Sequence, residues 1–272
     1  MKHLIDAHCH IYPEKIARKA VDGINHFYDG LPGDHFDGTM DTLLQAADAE
    51  NVDHYIVFSV ATTPHQVSSI NQFIARSVAA SDGRFTGLGT MHLDSDDYER
   101  DLNEAVELGL KGIKLHPDIQ QFCVDDPRAM RIFGMLEDRG LPVYVHTGDF
   151  RYDNSNPNRV AKVLTAFPKL KFVGPHLGGW SVWDQVLGTL TEFDNIVVDT
   201  SSCSFLIDPE LEINLIRAFG SERVMFGTDY PMWPVGEEVD ALDKLGLTEE
   251  EYENIYWRTC AKLFDLGGQF LV

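Results

Sequence analysis

Positive charge is scarce in this chain: 22 Lys and Arg stand against 43 Asp and Glu, a formal net charge of -21. A surface of that sign repels phosphate backbones and anionic lipid, so neither nucleic acid nor a membrane surface is an expected partner. An anionic substrate would need local positive charge, from a metal or from a few Arg and Lys. Cysteine is scarce too. Cys9, Cys123, Cys203 and Cys260 are scattered, with no C-x-x-C pair, which argues against a structural zinc site and a disulfide framework and fits a reducing compartment. Long apolar runs are missing: nothing approaches the ~20 residues a membrane helix requires. The opening MKHLIDAHCH enters a strand at once, with no apolar segment followed by a small-residue cleavage site. The expectation is a soluble cytoplasmic protein. Repeats, low-complexity tracts and Pro/Gly/Ser linkers are absent as well, so residues 1–272 read as one domain, and the 44% apolar content supports a real core.

What is present is a regular alternation. Short apolar runs recur at 3–8, 54–60, 85–91, 109–115, 142–146, 171–175, 195–200 and 223–229. Between several of them lie stretches with apolar spacing of three and four, such as DTLLQAADAEN, SINQFIARSVAA and DPRAMRIFGMLEDRG. Several begin with a cap-like Asp or Ser and stop at Gly or Asn, as helix ends do. Eight strands alternating with helices imply parallel pairing. An open nucleotide-binding sheet would carry a Gly-rich turn after its first strand, whereas this first strand ends in His-Cys-His. The expected fold is therefore a single (β/α)₈ barrel of the TIM type. Residues 12–38 form its largest βα excursion, read either as a cover over the mouth or as a plain loop.

In such a barrel the chemistry sits at the C-terminal ends of the strands. Strand one closes with His8 and His10, strand four with Lys114 and His116, strand five with His146, strand six with His176 and strand eight with Asp229. Alternation puts His8 and His10 on one side and Cys9 on the other. Two imidazoles side by side, joined by a third His and a carboxylate from other strands, suit one divalent metal: Zn²⁺ first, with Mn²⁺, Fe²⁺ or Co²⁺ as alternatives.

The motifs DAHCHIYP, GIKLHP, VYVHTGD, PHLGGW and FGTDYPMWP, in that order between residues 6 and 234, resemble the amidohydrolase-related branch of the amidohydrolase superfamily. That branch includes metal-dependent hydrolases, decarboxylases of the aminocarboxymuconate-semialdehyde type and some hydratases. The resemblance implies His8, His10, His146 and Asp229 as metal ligands, His176 as the catalytic histidine after strand six, and Asp229 as the group that moves a proton. Lys114 shares parity with His116 and points inward. It is expected to remain a cation, paired with a carboxylate such as Asp6 or with substrate, rather than become a carbamate bridging two metals. His116, Arg151 and Trp180 are expected to line the substrate pocket, Arg151 as a bidentate grip on a substrate carboxylate.

The leading functional expectation is hydrolysis of a small amide, lactone or ester by metal-activated water. The alternative is non-oxidative decarboxylation of an unsaturated or aromatic acid at the same site. A third reading is a non-catalytic metal-binding barrel. Barrels of this sort often dimerise, which leaves a homodimer open. The substrate itself is set by loop shape and is not written in the fold.

Overall fold

The computed structural model describes residues 3–31 and 35–270. Residues 32–34 of the expected 12–38 excursion, and Met1 and Lys2 of the opening segment, lie outside the described residues. The strands are β1 (Ile5–His10), β2 (His54–Phe58), β3 (Phe85–Gly87), β4 (Gly89–Thr90), β5 (Ile113–Leu115), β6 (Val143–Val145), β7 (Phe172–Gly174), β8 (Ile196–Asp199) and β9 (Val224–Met225). All pairings are parallel, in the order β1-β2-β3 and β4-β5-β6-β7-β8-β9. β3 and β4 are two halves of one stave. At Leu88 its backbone hands over from one neighbour to the other: Leu88 N–H donates to Val57 O and Gly89 N–H to Gly112 O, both at 2.9 Å.

The ring closes between the first and last strands. Ala7 N–H donates to Phe226 O (2.9 Å), His10 N–H to Tyr230 O (2.7 Å) and Tyr230 N–H to His8 O (3.2 Å). This is the expected (β/α)₈ barrel, with its staves falling inside the runs read from the sequence except β1, which continues two residues past its run to His10. Ile5, Ala7, Ile56, Phe58, Leu88, Tyr144, Val173 and Met225 cluster together, while Val57, Ile113, Leu115, Val143, Val145, Phe172 and Val224 join the larger core against the helices. Residues of opposite parity thus fill opposite faces of each strand. β1 departs from strict alternation, because its register with β2 shifts between Asp6 and Cys9. Such a bulge re-aims side chains at the rim of a barrel.

The helices that cross back are α2 (Met40–Glu50), α3 (Val67–Ala80), α4 (Tyr98–Glu107), α5 (Pro117–Gln120), α6 (Pro127–Asp138), α7 (Pro157–Ala166), α8 (Pro209–Phe219) and α9 (Val235–Asp243). Two features differ from the sequence expectation. The 12–38 excursion contains a helix, α1 (Glu14–Phe27), which buries Ala17 and Val21 on one side. Between β7 and β8 there is no α-helix among the described residues, only short 3₁₀ turns at His176–Gly178 and Trp183–Gln185. His176 and Leu177 both take left-handed backbone (φ 59° and 51°), which stops a helix from starting there. The indole N–H of Trp183 then ties the turn to His176 O at 2.8 Å.

Candidate metal centre

Asp6 fixes the first and last strands relative to each other. Its Oδ1 accepts from the backbone N–H of His8 (3.1 Å) and of Thr228 (3.0 Å), and its Oδ2 accepts from the Thr228 hydroxyl at 2.6 Å. Burial raises the Asp6 carboxyl to about 6, against the lowering effect of these donors. The clamp places Asp229, one residue further on, against the two histidines of β1. Gly227 is needed there, because a Cβ on it would lie 2.9 Å from His8 Cβ.

The result is a convergent trio. His8 Nε2 lies 3.3 Å from His10 Nε2 and 3.2 Å from Asp229 Oδ1, and His10 Nε2 lies 3.5 Å from the same oxygen. Among the described residues, two sets bring three ligand atoms within 4.8 Å of one another: this one, and His8 with His176 and Asp199. The second set is held by hydrogen bonds. Asp199 Oδ1 accepts from the N–H groups of His176 and Ser201 (3.0 Å each) and from the Ser201 hydroxyl (2.5 Å). Its Oδ2 takes His8 Nδ1 at 2.9 Å and the Tyr144 hydroxyl. Burial alone would raise this carboxyl, but His8 and His176 hold it well below the usual range. Its lone pairs are committed, which leaves the first trio open toward an ion.

Proton placement sharpens that conclusion. A carboxylate or a carbonyl can only accept, so a ring nitrogen facing one carries hydrogen. His8 Nδ1 therefore donates to Asp199 and leaves its Nε2 lone pair in the trio. His176 Nδ1 donates to Ser201 O (2.8 Å) and His146 Nε2 to Gly148 O (3.1 Å). The remaining nitrogens, His176 Nε2 and His146 Nδ1, face each other at 3.1 Å. Burial pushes His10 and His146 well below the ordinary histidine value, and pushes His176 down to about 4. Neutral rings with lone pairs facing each other repel unless a cation lies among them. This donor set fits a divalent metal.

Other side chains select orientation. Asp229 has left-handed backbone (φ 59°), and its Oδ2 accepts from the Ser202 hydroxyl (2.8 Å), which accepts in turn from the Trp233 indole at 2.9 Å. Lys114 is fully buried, with its Nζ 4.8 Å and 4.7 Å from the Phe58 and Tyr144 ring centres and 3.4 Å from His8 Nε2. Burial lowers the Lys114 ammonium to about 8, and Asp229 and Asp199 partly offset this. The expected Lys114–Asp6 pairing does not form, since the Asp6 oxygens are turned to His8 and Thr228.

The structure separates the remaining sequence candidates. His146 is in neither ligand trio and reaches them through His176. His116 stacks flat on His146, with centres 4.1 Å apart and planes 8° apart, and its Nε2 meets the Tyr28 hydroxyl at 3.1 Å. A cavity of about 790 Å³ opens on the cluster and is lined by His8, His10, Lys114, His116, His146, His176 and Asp229. Arg151 and Trp180, expected to line the substrate pocket, are not among its lining residues. The Arg151 guanidinium is spent on Asp149 (3.0 and 2.7 Å) and on Phe27 O, at the end of α1. Trp180 packs edge-on against Tyr28 with centres 5.0 Å apart. Asp199, Ser201 and Tyr144, which organise His8, were missed by the sequence reading. Asp199 ends its strand as Asp229 follows its own, and the same rim rule points to it.

No helix among the described residues is long and apolar enough to cross a membrane. Two curated relatives are both 2-amino-3-carboxymuconate-6-semialdehyde decarboxylases. The one from Dictyostelium discoideum is 24% identical over 62% of this chain and 57% of its own length. The one from Caenorhabditis elegans is 28% identical over 41% of this chain and 32% of its own length. The matches thus span less than two thirds of those relatives. Among solved structures, an uncharacterised TIM-barrel protein from Bordetella bronchiseptica superposes with a TM-score of 0.81 at 20% identity, covering 98% of this chain and 99% of that one. A 5-carboxyvanillate decarboxylase from Sphingomonas paucimobilis gives 0.73 at 19% identity, covering 97% and 99%. A dihydroxybenzoic acid decarboxylase from a Polaromonas species, with bound manganese and the inhibitor 2-nitroresorcinol, gives 0.71 at 17% identity, covering 98% of each chain. The sequence profile described as amidohydrolase matches residues 5–266. This chain is an enzyme of the amidohydrolase family, and its barrel carries a convergent His/Asp cluster that could hold a metal ion.

Proposed function

We propose that this protein is a metal-dependent, non-oxidative decarboxylase of an aromatic or unsaturated carboxylic acid. The sequence alone favoured hydrolysis. The named relatives and neighbours support the alternative better, because decarboxylases predominate among them. The observation that carries the reading is Lys114, a buried cation between two aromatic rings beside the His/Asp cluster, facing the cavity. It is a fixed counter-charge for a carboxylate drawn out of water, and loss of solvation raises the energy of that carboxylate toward loss of CO₂.

His8, His10 and Asp229, with His146, are the residues that would hold one divalent metal, Zn²⁺ or Mn²⁺. When bound, the metal supplies positive charge that orients the acid and draws electron density from it. Asp229 then acts on carbon. As the bond to the carboxyl carbon breaks, its electron pair stays on the ring or alkene carbon. The Asp229 carboxyl delivers a proton there and is reprotonated from solvent. His176, neutral at physiological pH, donates from Nδ1 to Ser201 O and turns Nε2 to the site, so it orients the substrate rather than protonating it. The free state of all four cysteines fits a cytoplasmic location, which we keep as part of the proposal.

The test is incubation of Zn²⁺- or Mn²⁺-loaded protein with hydroxylated benzoates and unsaturated carboxylates in D₂O. The expected outcome is CO₂ release with one deuterium at the vacated carbon. Cleavage of lactones or amides with oxygen taken up from water, and no CO₂ from any acid, would reinstate hydrolysis.

A further inference from the structure

The cavity does not end at the His/Asp cluster. It continues between α1 and α3, where Ile16 and Ile24 of one helix and Ile70 and Phe73 of the other form its walls. These recur at helical spacing, and next to them around each helix Ala17 and Val21 of α1 and Ile74 of α3 are buried against the body. Two cations, Lys19 on α1 and Arg76 on α3, line the same channel and are exposed. Lys19 is about 12 Å along the helix from Phe27, whose neighbour Tyr28 touches His116 at the cluster end.

Their isolation is informative. In a chain of net charge -21, arginines such as Arg100, Arg128, Arg139 and Arg159 are bound to carboxylates. Among the described residues no carboxylate pairs with Arg76 or Lys19. Two free cations on an acidic surface, at the outer part of an apolar channel, are complementary to an anion tethered to an apolar body.

We propose that the channel between α1 and α3 is a specificity subsite for a second acidic group. The substrate is then an elongated diacid: one carboxylate at the His/Asp cluster, an apolar body along the helix faces, and a distal anion between Lys19 and Arg76. This rests on the cluster being a carboxylate site, and it adds which acids are accepted. The apolar walls reject a hydrophilic body, and the two cations reject a neutral end.

The test uses the metal-loaded full chain and titration calorimetry with benzoate, hexanedioate, dodecanedioate and the matching monoacids. Dodecanedioate is expected to bind about fivefold more tightly than dodecanoate, the range for an exposed charge pair, and the gain should fade in high salt. Hexanedioate, too short to reach, should gain nothing over hexanoate. The double variant Lys19→Gln/Arg76→Gln should bind the two twelve-carbon acids equally while leaving benzoate affinity unchanged. Equal affinity for diacid and monoacid in the unaltered protein, or an advantage that survives the double substitution, would overturn the subsite with the cluster reading intact. Benzoate binding that does not depend on metal would instead overturn the cluster reading, and the subsite with it.

Discussion

Asp229 and Asp199 are both aspartates at strand ends, yet their surroundings give them different work. Asp229 Oδ1 faces the open trio and only its Oδ2 is anchored, by Ser202, so this carboxyl can both meet an ion and carry a proton. Asp229→Asn keeps the shape and the Ser202 contact but removes the proton. Turnover should fall by about 10³-fold, within the span of general acid–base contributions, with the melting temperature little changed. Near-normal turnover would take Asp229 out of the mechanism. Asp199 works one step back, by fixing the His8 tautomer. Asp199→Asn should weaken divalent-metal affinity roughly 10–100-fold in a chelator competition, with activity recovering at excess metal. An unchanged affinity would mean the contact serves folding alone. The histidines and Asp229 were readable from the sequence because strand ends are where barrels do chemistry. Asp199 was not read, because a carboxylate in a run such as NIVVDT gives no sign of its partner until Tyr144, Ser201 and His8 arrive from other strands.

The legibility of the elements follows their packing. Each stave is buried on both faces, so it shows as an apolar run whatever its neighbours are. α6 and α8 begin at Asp126 and Asp208, whose side chains accept from the backbone N–H of Arg128 and of Glu210. α1 was not read as a helix because the 12–38 segment around it is rich in Gly, Asp and His, although Ile16, Ala20, Ile24 and Phe27 recur at helical spacing along one side. What holds it there is local: Arg151 bonds Phe27 O and lies over the Phe27 and Tyr28 rings at 4.8 and 4.9 Å. Arg151 thus positions a wall of the cavity. Arg151→Gln should raise KM several-fold with kcat little altered, because it loosens α1 without touching the cluster. Limited proteolysis should cut faster within residues 14–27. A fall in kcat at unchanged KM would contradict this assignment. The missing helix between β7 and β8 was equally hidden, since the left-handed turn at His176 and Leu177 is imposed by the site and not by residue type.

At the scale of the whole molecule, acidity reaches the interior. Glu212 of α8 and Glu238 of α9 are both buried, and among the described residues each keeps one oxygen, Oε1, without a hydrogen-bond partner. Ser204 donates to the other oxygen of Glu238 at 2.9 Å, and Cys203 lies beside the pair. Burial raises Glu212 to about 7, and burial with Glu212 nearby raises Glu238 well above its ordinary range. The folded chain therefore keeps a proton on Glu212 up to about pH 7, while the unfolded chain releases it near 4.5. Between those values the folded state binds more protons, so stability must fall as pH rises, by up to about 3 kcal/mol once both states are ionised. Glu212→Gln copies the protonated form at every pH. It should match the unaltered protein at pH 4.5 and melt several degrees higher at pH 8. The two melting curves, followed from pH 4.5 to 8, should separate progressively. Parallel curves would mean that Glu212 is ionised at its buried position throughout, with a counter-charge found elsewhere.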